Sequence, residues 1–284
     1  MGGIEMILGL ATPLTYCTPE EWARKHRELG CKAVVFPIDC TAPESEIEAF
    51  HNAAMQEGLV IAEVGIWKNV LSADQMEREQ AVEYSINQLR MADEIGALCC
   101  VNIVGTPHGP VWDGAYAGNF SPETWDMIVK SIQYIIDEAA PRHTKFAIEP
   151  MPWMVPSSPD EYLKLIEDVD REAFGVHMDL VNMINCPYRY LFADQFMEEC
   201  FEKLHGKIIS CHLKDILLLK PFTVQLQECA CGEGALNLEK YAQLASRENP
   251  QMPMIIEHLE SDEAYLQSLK YVQSRLSDYI DRER

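Results

Sequence analysis

Residues 145–179 read "KFAIEPMPWMVPSSPDEYLKLIEDVDREAFGVHMD". An apolar run (145–150) holds Glu149 near its end. A loop then leads to Ser158-Pro159, a helix-start signal in which serine caps and proline fills the first turn. The amphipathic stretch "SPDEYLKLIEDV" follows, and a second apolar run (174–179) ends at Asp179. This is one strand–helix unit handing over to the next strand.

The same grammar extends in both directions. Further strand segments lie at 6–12, 32–38, 59–65, 98–105, 207–214 and 253–259. Helical stretches separate them, with Thr18 as an N-cap before Pro19, Ser121 capping the helix after the fourth strand, and Gly58 and Gly96 ending two others. Eight tandem strand–helix units in 284 residues most simply close into a single (β/α)8 TIM barrel; a doubly wound sheet is the alternative. No linker or low-complexity segment interrupts them, so residues 1–284 read as a single domain. The opening "MGGIEMILGLATPLTY" carries Glu5 where a signal peptide would be basic, and reads as the first strand.

Nearly half of the residues (48%) are apolar, enough for a sizeable core, but no run approaches the ~18 that a membrane span needs. Forty-five acidic against 23 basic residues give a formal charge of −22. Such a surface repels polyphosphate backbones, so neither nucleic acid nor membrane is an expected partner. Ten cysteines occur without a CxxC pair, several within strand-like runs. They read as free buried thiols of a cytoplasmic protein.

In a TIM barrel the active site lies at the carboxyl ends of the strands. There the fifth to eighth strands bring Glu149, Asp179, His212 and Glu257. Three carboxylates at one barrel mouth repel each other unless a cation sits among them. Three oxygen donors and an imidazole suit Mn²⁺, Mg²⁺ or Co²⁺, with Zn²⁺ also compatible. In "IISCHLKD" (208–215), alternation puts Ser210, His212 and Lys214 on one face. His212 then reads as a ligand, and Lys214 as a substrate contact or an ion pair with Asp215 or another rim acid.

These segments resemble the xylose isomerase-like TIM barrels grouped as sugar phosphate isomerases and epimerases. The most specific parts are "AIEPMPW" (147–153), "GVHMDLVNM" (175–183), "SCHLKD" (210–215), "GEGALN" (232–237) and "IIEHL" (255–259). The resemblance implies one divalent metal, manganese first, held by Glu149, Asp179, His212 and Glu257. In the ketose epimerases of that family the two glutamates also transfer the proton, which implies the same for Glu149 and Glu257. Two departures stand out. Several members have a histidine three residues after the aspartate, where this chain has Asn182. The extra zinc ligands of the abasic-site endonucleases are not apparent.

Other residues carry paired readings. His108 and Trp112, in the loop after the fourth strand, Asn182, Arg189 and Glu63 are candidate substrate contacts. For Arg189 a surface ion pair is the alternative. His177 is a partner behind a ligand or a packed core histidine. His258 should point away from Glu257, toward the helices. Trp67, Trp112 and Trp153 could wall a sugar ring. The "CGEGALN" loop reads as a turn before a helix capped by Asn237 rather than a phosphate site, since Glu233 would repel a dianion.

The expected activity is that of a cytoplasmic enzyme of carbohydrate metabolism, a metal-dependent isomerase or epimerase of a small sugar, keto-sugar or polyol working through an enediolate. A lyase or hydratase on a keto-sugar, keto-glycoside or inosose is the runner-up, and a non-catalytic sugar-binding barrel the third reading. The metal, the substrate and any homo-oligomer are left open.

Overall fold

The computed structural model describes residues 6–11, 14–220 and 222–280. Eight parallel strands form one sheet: β1 (Ile7–Leu10), β2 (Ala33–Val35), β3 (Val60–Gly65), β4 (Cys99–Asn102), β5 (Lys145–Ile148), β6 (Phe174–Met178), β7 (Ile208–Leu213) and β10 (Pro253–Ile256). Their order, β1-β10-β7-β6-β5-β4-β3-β2, is that of a nearly closed barrel. The Lys32 amide donates to the Leu8 carbonyl at 2.9 Å across the remaining seam. All eight expected strands are present, each trimmed at its ends. Of the first segment, Thr12 and the opening residues 1–5 lie outside the described residues.

Helices α1 (Pro19–Glu28), α2 (Glu44–Gln56), α3 (Gln75–Glu94), α4 (Pro122–Ala139) and α5 (Pro159–Val169) follow the first five strands. After β6 come two short helices, α6 (Leu180–Met183) and α7 (Pro187–Leu191), and then α8 (Ala193–Lys203); α9 (Leu238–Glu248) and α10 (Asp262–Arg275) complete the ring. The caps form as read: the side chains of Thr18, Ser121, Ser158 and Asn237 each accept from a backbone amide three residues on. Each such cap contributes about 1 kcal/mol. Gly58 and Gly96 take the left-handed conformation that stops α2 and α3.

Two large apolar clusters fill the space between strands and helices. Inside the barrel the packing is by small side chains, Ala33 and Ala62 with Ile7 and Ile255, and Cys99 and Ala147 with Val101. Gly9 is required there, because a Cβ would meet Ile255 Cδ1 at 2.5 Å and the Ala33 carbonyl oxygen at 2.6 Å. Between β6 and β7 the register slips by one, from Val176↔Ile208 to His177↔Ser210. This bulge lets Ile209 join the interior layer while Ser210 and His212 still face inward.

One element was not expected. Strands β8 (Asp215–Leu219) and β9 (Gln225–Cys229) form an antiparallel hairpin after β7. All ten cysteines are free and six are buried; burial pushes the Cys31 and Cys211 thiols up to about 12, so they behave as apolar packing. No helix among the described residues is long and apolar enough to cross a membrane.

Candidate metal centre

Each of the four predicted donors stands at the carboxyl end of its strand. Glu149 follows Ile148 on β5, Asp179 follows Met178 on β6, and Glu257 follows Ile256 on β10. His212 lies within β7. The pairing of Met178 with Cys211 and of Ile255 with His212 sets them at nearly one level. All four are buried, and one ligand atom from each lies within 4.8 Å of the others. Asp179 also caps α6, accepting from the Asn182 amide at 2.9 Å through Oδ1. Its Oδ2 is thereby left for the centre.

Two buried atoms of this set, Asp179 Oδ2 and His212 Nδ1, have no aligned hydrogen-bond partner, although the Lys214 ammonium lies 2.7 Å from Asp179 Oδ2. His212 Nδ1 lies 2.7 Å from Glu257 Oε1, 3.4 Å from Glu149 Oε1 and 3.6 Å from Asp179 Oδ2. Close approach without hydrogen-bond alignment is what a shared cation would resolve, and this hard oxygen and imidazole set fits a divalent metal. Burial, with the Glu257 and Asp179 charges against only the His212 imidazole, holds the Glu149 carboxyl above its ordinary range. Burial would also raise Asp179, but the Lys214 ammonium and His212 outweigh it and hold that carboxyl well below.

Behind the set lies a second buried layer. Glu63 Oε1 accepts from His177 Nε2 at 3.0 Å and from the Ser210 hydroxyl, and its Oε2 faces His212 Nε2 at 3.4 Å. With Nε2 of His212 donating to Glu63, the Nδ1 lone pair points at the carboxylates. Glu63 was expected to bind a substrate hydroxyl. It is only 3% exposed and its oxygens are taken, so that expectation is corrected to support of the imidazoles. His177 takes the first of its two readings, a partner one layer behind.

A family model described as xylose isomerase-like TIM barrel matches residues 23–275. The chain belongs to the xylose isomerase-like TIM barrel family. Among curated proteins no sequence matches it significantly. Solved structures resemble it over nearly their whole length. A xylose isomerase-like TIM barrel protein from Mycobacterium smegmatis, in complex with magnesium, shares 20% identity at a TM-score of 0.67, covering 97% of either chain. The 3-keto-D-glucoside 4-epimerase of E. coli shares 16% at 0.69, covering 95% of this chain and all of its own. D-psicose 3-epimerase, solved in the presence of D-fructose, shares 13% at 0.70, covering 95% of this chain and 99% of its own.

Around the four candidate donors of this xylose isomerase-like barrel, three further side chains close in. Lys214 is buried, with Nζ 2.7 Å from Asp179 Oδ2, 2.8 Å from Glu257 Oε1 and 3.1 Å from Glu228 Oε2. It pairs with those acids and not with Asp215, one of the partners expected for it. Asp215 instead accepts from the amides of Ile216, Gly232, Gly234 and Leu236. The amides of the "CGEG" turn are thus engaged internally, as the turn reading required. Asn182 donates to Glu149 Oε1 at 3.1 Å, fixing that carboxylate.

His258 contradicts its expected direction. Strand β10 ends at Ile256, and a left-handed φ of 56° at His258 swings the ring back toward the centre. Its Nδ1 lies 3.3 Å from Lys214 Nζ and 3.2 Å from Glu228 Oε2. Glu228 was missed altogether, although "VQLQE" (224–228) alternates as a strand does and should have been read so.

The remaining candidates lie in the surrounding loops. Arg189 Nη1 donates to the Ser157 and Met183 carbonyls and to Asn185 Oδ1, with the guanidinium over Phe196. Through Nη1 it clamps the loop after β6. His108 meets the Thr124 hydroxyl at 3.2 Å, and Trp112 packs against one of the two large apolar clusters. Neither is hydrogen-bonded to any of the four donors. Trp67 is half-exposed, while Trp153 lines a cavity of about 500 Å³ that opens beside Asn182, Glu228 and His258.

Proposed function

We propose that this chain is a divalent-metal-dependent isomerase or epimerase acting on a small sugar, keto-sugar or polyol. The observation that carries the reading is the convergence of Glu149, Asp179, His212 and Glu257 within 4.8 Å, buried, with His212 Nδ1 facing the three carboxylates and lacking a hydrogen-bond partner. Similarity to barrels described as sugar epimerases supports the substrate class. The charge of −22 favours a small uncharged ligand over nucleic acid. Mn²⁺ is the metal proposed first, with Mg²⁺ and Co²⁺ equally suited by the donors.

When bound, the cation supplies Lewis-acid polarisation of a carbonyl oxygen and a neighbouring hydroxyl. The chain supplies the proton chemistry. Glu149 and Glu257 stand on β5 and β10, with β6 and β7 between them, so they reach the ligand from different directions. One takes the proton from the carbon beside the carbonyl and the other returns it. Asn182 holds Glu149 in place, and Lys214, whose ammonium is shared by Asp179, Glu228 and Glu257, holds Glu257. Metal analysis of protein purified without chelator, followed by a ketose screen in D₂O, tests the reading. A stoichiometric divalent metal and deuterium at one product carbon are expected. Metal-free protein with full turnover would overturn it, and loss of water or of an aglycone would move the assignment to a lyase.

A further inference from the structure

The cavity beside the centre is polar at one end and, apart from Asn185, apolar through the rest. Its polar end consists of Asn182, which touches Glu149, and of Glu228 and His258, which touch Lys214. Beyond them the walls are Val181 and Ile184 from the α6 segment, Ile216 from β8, Val224 and Leu226 from the β9 arm, and Trp153. Alternation along β9 places Leu226 and Glu228 on one face, and Val224, just before the strand, lines the same cavity, so the hairpin supplies both an acidic contact and an apolar wall. At about 500 Å³ the chamber has the size of a small-molecule site.

A free sugar carries a polar group on nearly every carbon. Pressed into this chamber, its far hydroxyls would lose water against Val181, Ile184, Ile216 and Leu226 with only Asn185 to hydrogen-bond, which disfavours binding. A sugar ring at the polar end with an apolar substituent beyond it matches the walls on both sides. Resting on the metal-dependent isomerase reading above, we infer that the ligand is a keto-glycoside whose aglycone, an apolar ring or chain, occupies the chamber under the β8–β9 hairpin. Val224 and Leu226 are then specificity-determining residues for the aglycone.

Calorimetric titration of the Mg²⁺-loaded protein with the methyl and phenyl glycosides of 3-keto-D-glucose and 3-keto-D-galactose tests this. The phenyl glycoside of at least one sugar should bind ~10-fold or more tighter than its methyl counterpart, with a more negative heat-capacity change. Val224→Asn, at a half-exposed position where folding is little at risk, and Leu226→Asn should each cut that preference to roughly threefold or less. Equal affinities, a preference untouched by both variants, or no binding of any of the four overturns the inference. Free ketoses still isomerised in that case would leave the isomerase reading standing. A phenyl preference that survives EDTA supports the aglycone chamber while removing the cation from the proposed chemistry.

Discussion

His212 Nε2 on β7 faces Glu63 Oε2 on β3 at 3.4 Å, from strands on opposite sides of the barrel. Burial opposes a charge on Glu63, yet the His177 and His212 imidazoles outweigh it and keep the carboxyl well below its ordinary range. That buried carboxylate orients the imidazole whose other nitrogen faces Glu149, Asp179 and Glu257. Glu63→Gln keeps the size and removes the charge. It should weaken Mn²⁺ binding ~10–100-fold, read by metal titration, with the remaining donors intact. Unchanged affinity would make Glu63 a packing residue only.

Glu149→Gln and Glu257→Gln each keep an oxygen donor but lose the base. Turnover should fall by ~10² or more in either variant, measured with metal content checked in each. Wild-type turnover in D₂O should place deuterium at one carbon. A hydride shift would leave that hydrogen unexchanged and exclude proton transfer by the two glutamates.

Arg189→Ala removes a donor shared by the carbonyls of Ser157 and Met183 and the side chain of Asn185. Loss of about 1–3 kcal/mol of stability is expected, measured by urea denaturation, because those acceptors lose a charged partner. Metal affinity should stay within about threefold of wild type, since the guanidinium contacts none of the four donors. A large loss of metal with unchanged stability would return Arg189 to the site.

His26 is buried at 1% exposure against Trp22, and its Nδ1 has no hydrogen-bond partner. Burial lowers its pKa from 6.5 to about 4. The folded state therefore prefers the neutral ring. The stability this gives is fully present above pH 6.5 and is lost as pH falls through that value toward about 4. His26→Leu should remove that loss, so the difference between wild type and variant should change by roughly 3 kcal/mol between pH 7 and pH 4. Denaturant titrations at both pH values measure it. Parallel curves for the two proteins would show that His26 is not the titrating group.

Strand alternation and helix caps are local, so they were legible in the residues alone. Ser158 caps through an amide three residues away, and Gly96 ends α3 by its own φ. Those signals give the eight strand–helix units, and the barrel rule then brings Glu149, Asp179, His212 and Glu257 to one mouth. What each donor leans on was not legible, because the partners are far apart in the chain. Glu63 reaches residues 114, 147 and 149 positions away. Lys214 chooses Asp179, Glu228 and Glu257 over its neighbour Asp215 only because four backbone amides already hold that carboxylate. Alternation predicted His258 facing outward and failed where the strand stops and the backbone turns left-handed. The hairpin after β7 completes the pattern: its alternating residues have no meaning as a wall until folding lays Leu226 and Glu228 over the mouth of the barrel, beside the metal-binding carboxylates proposed here.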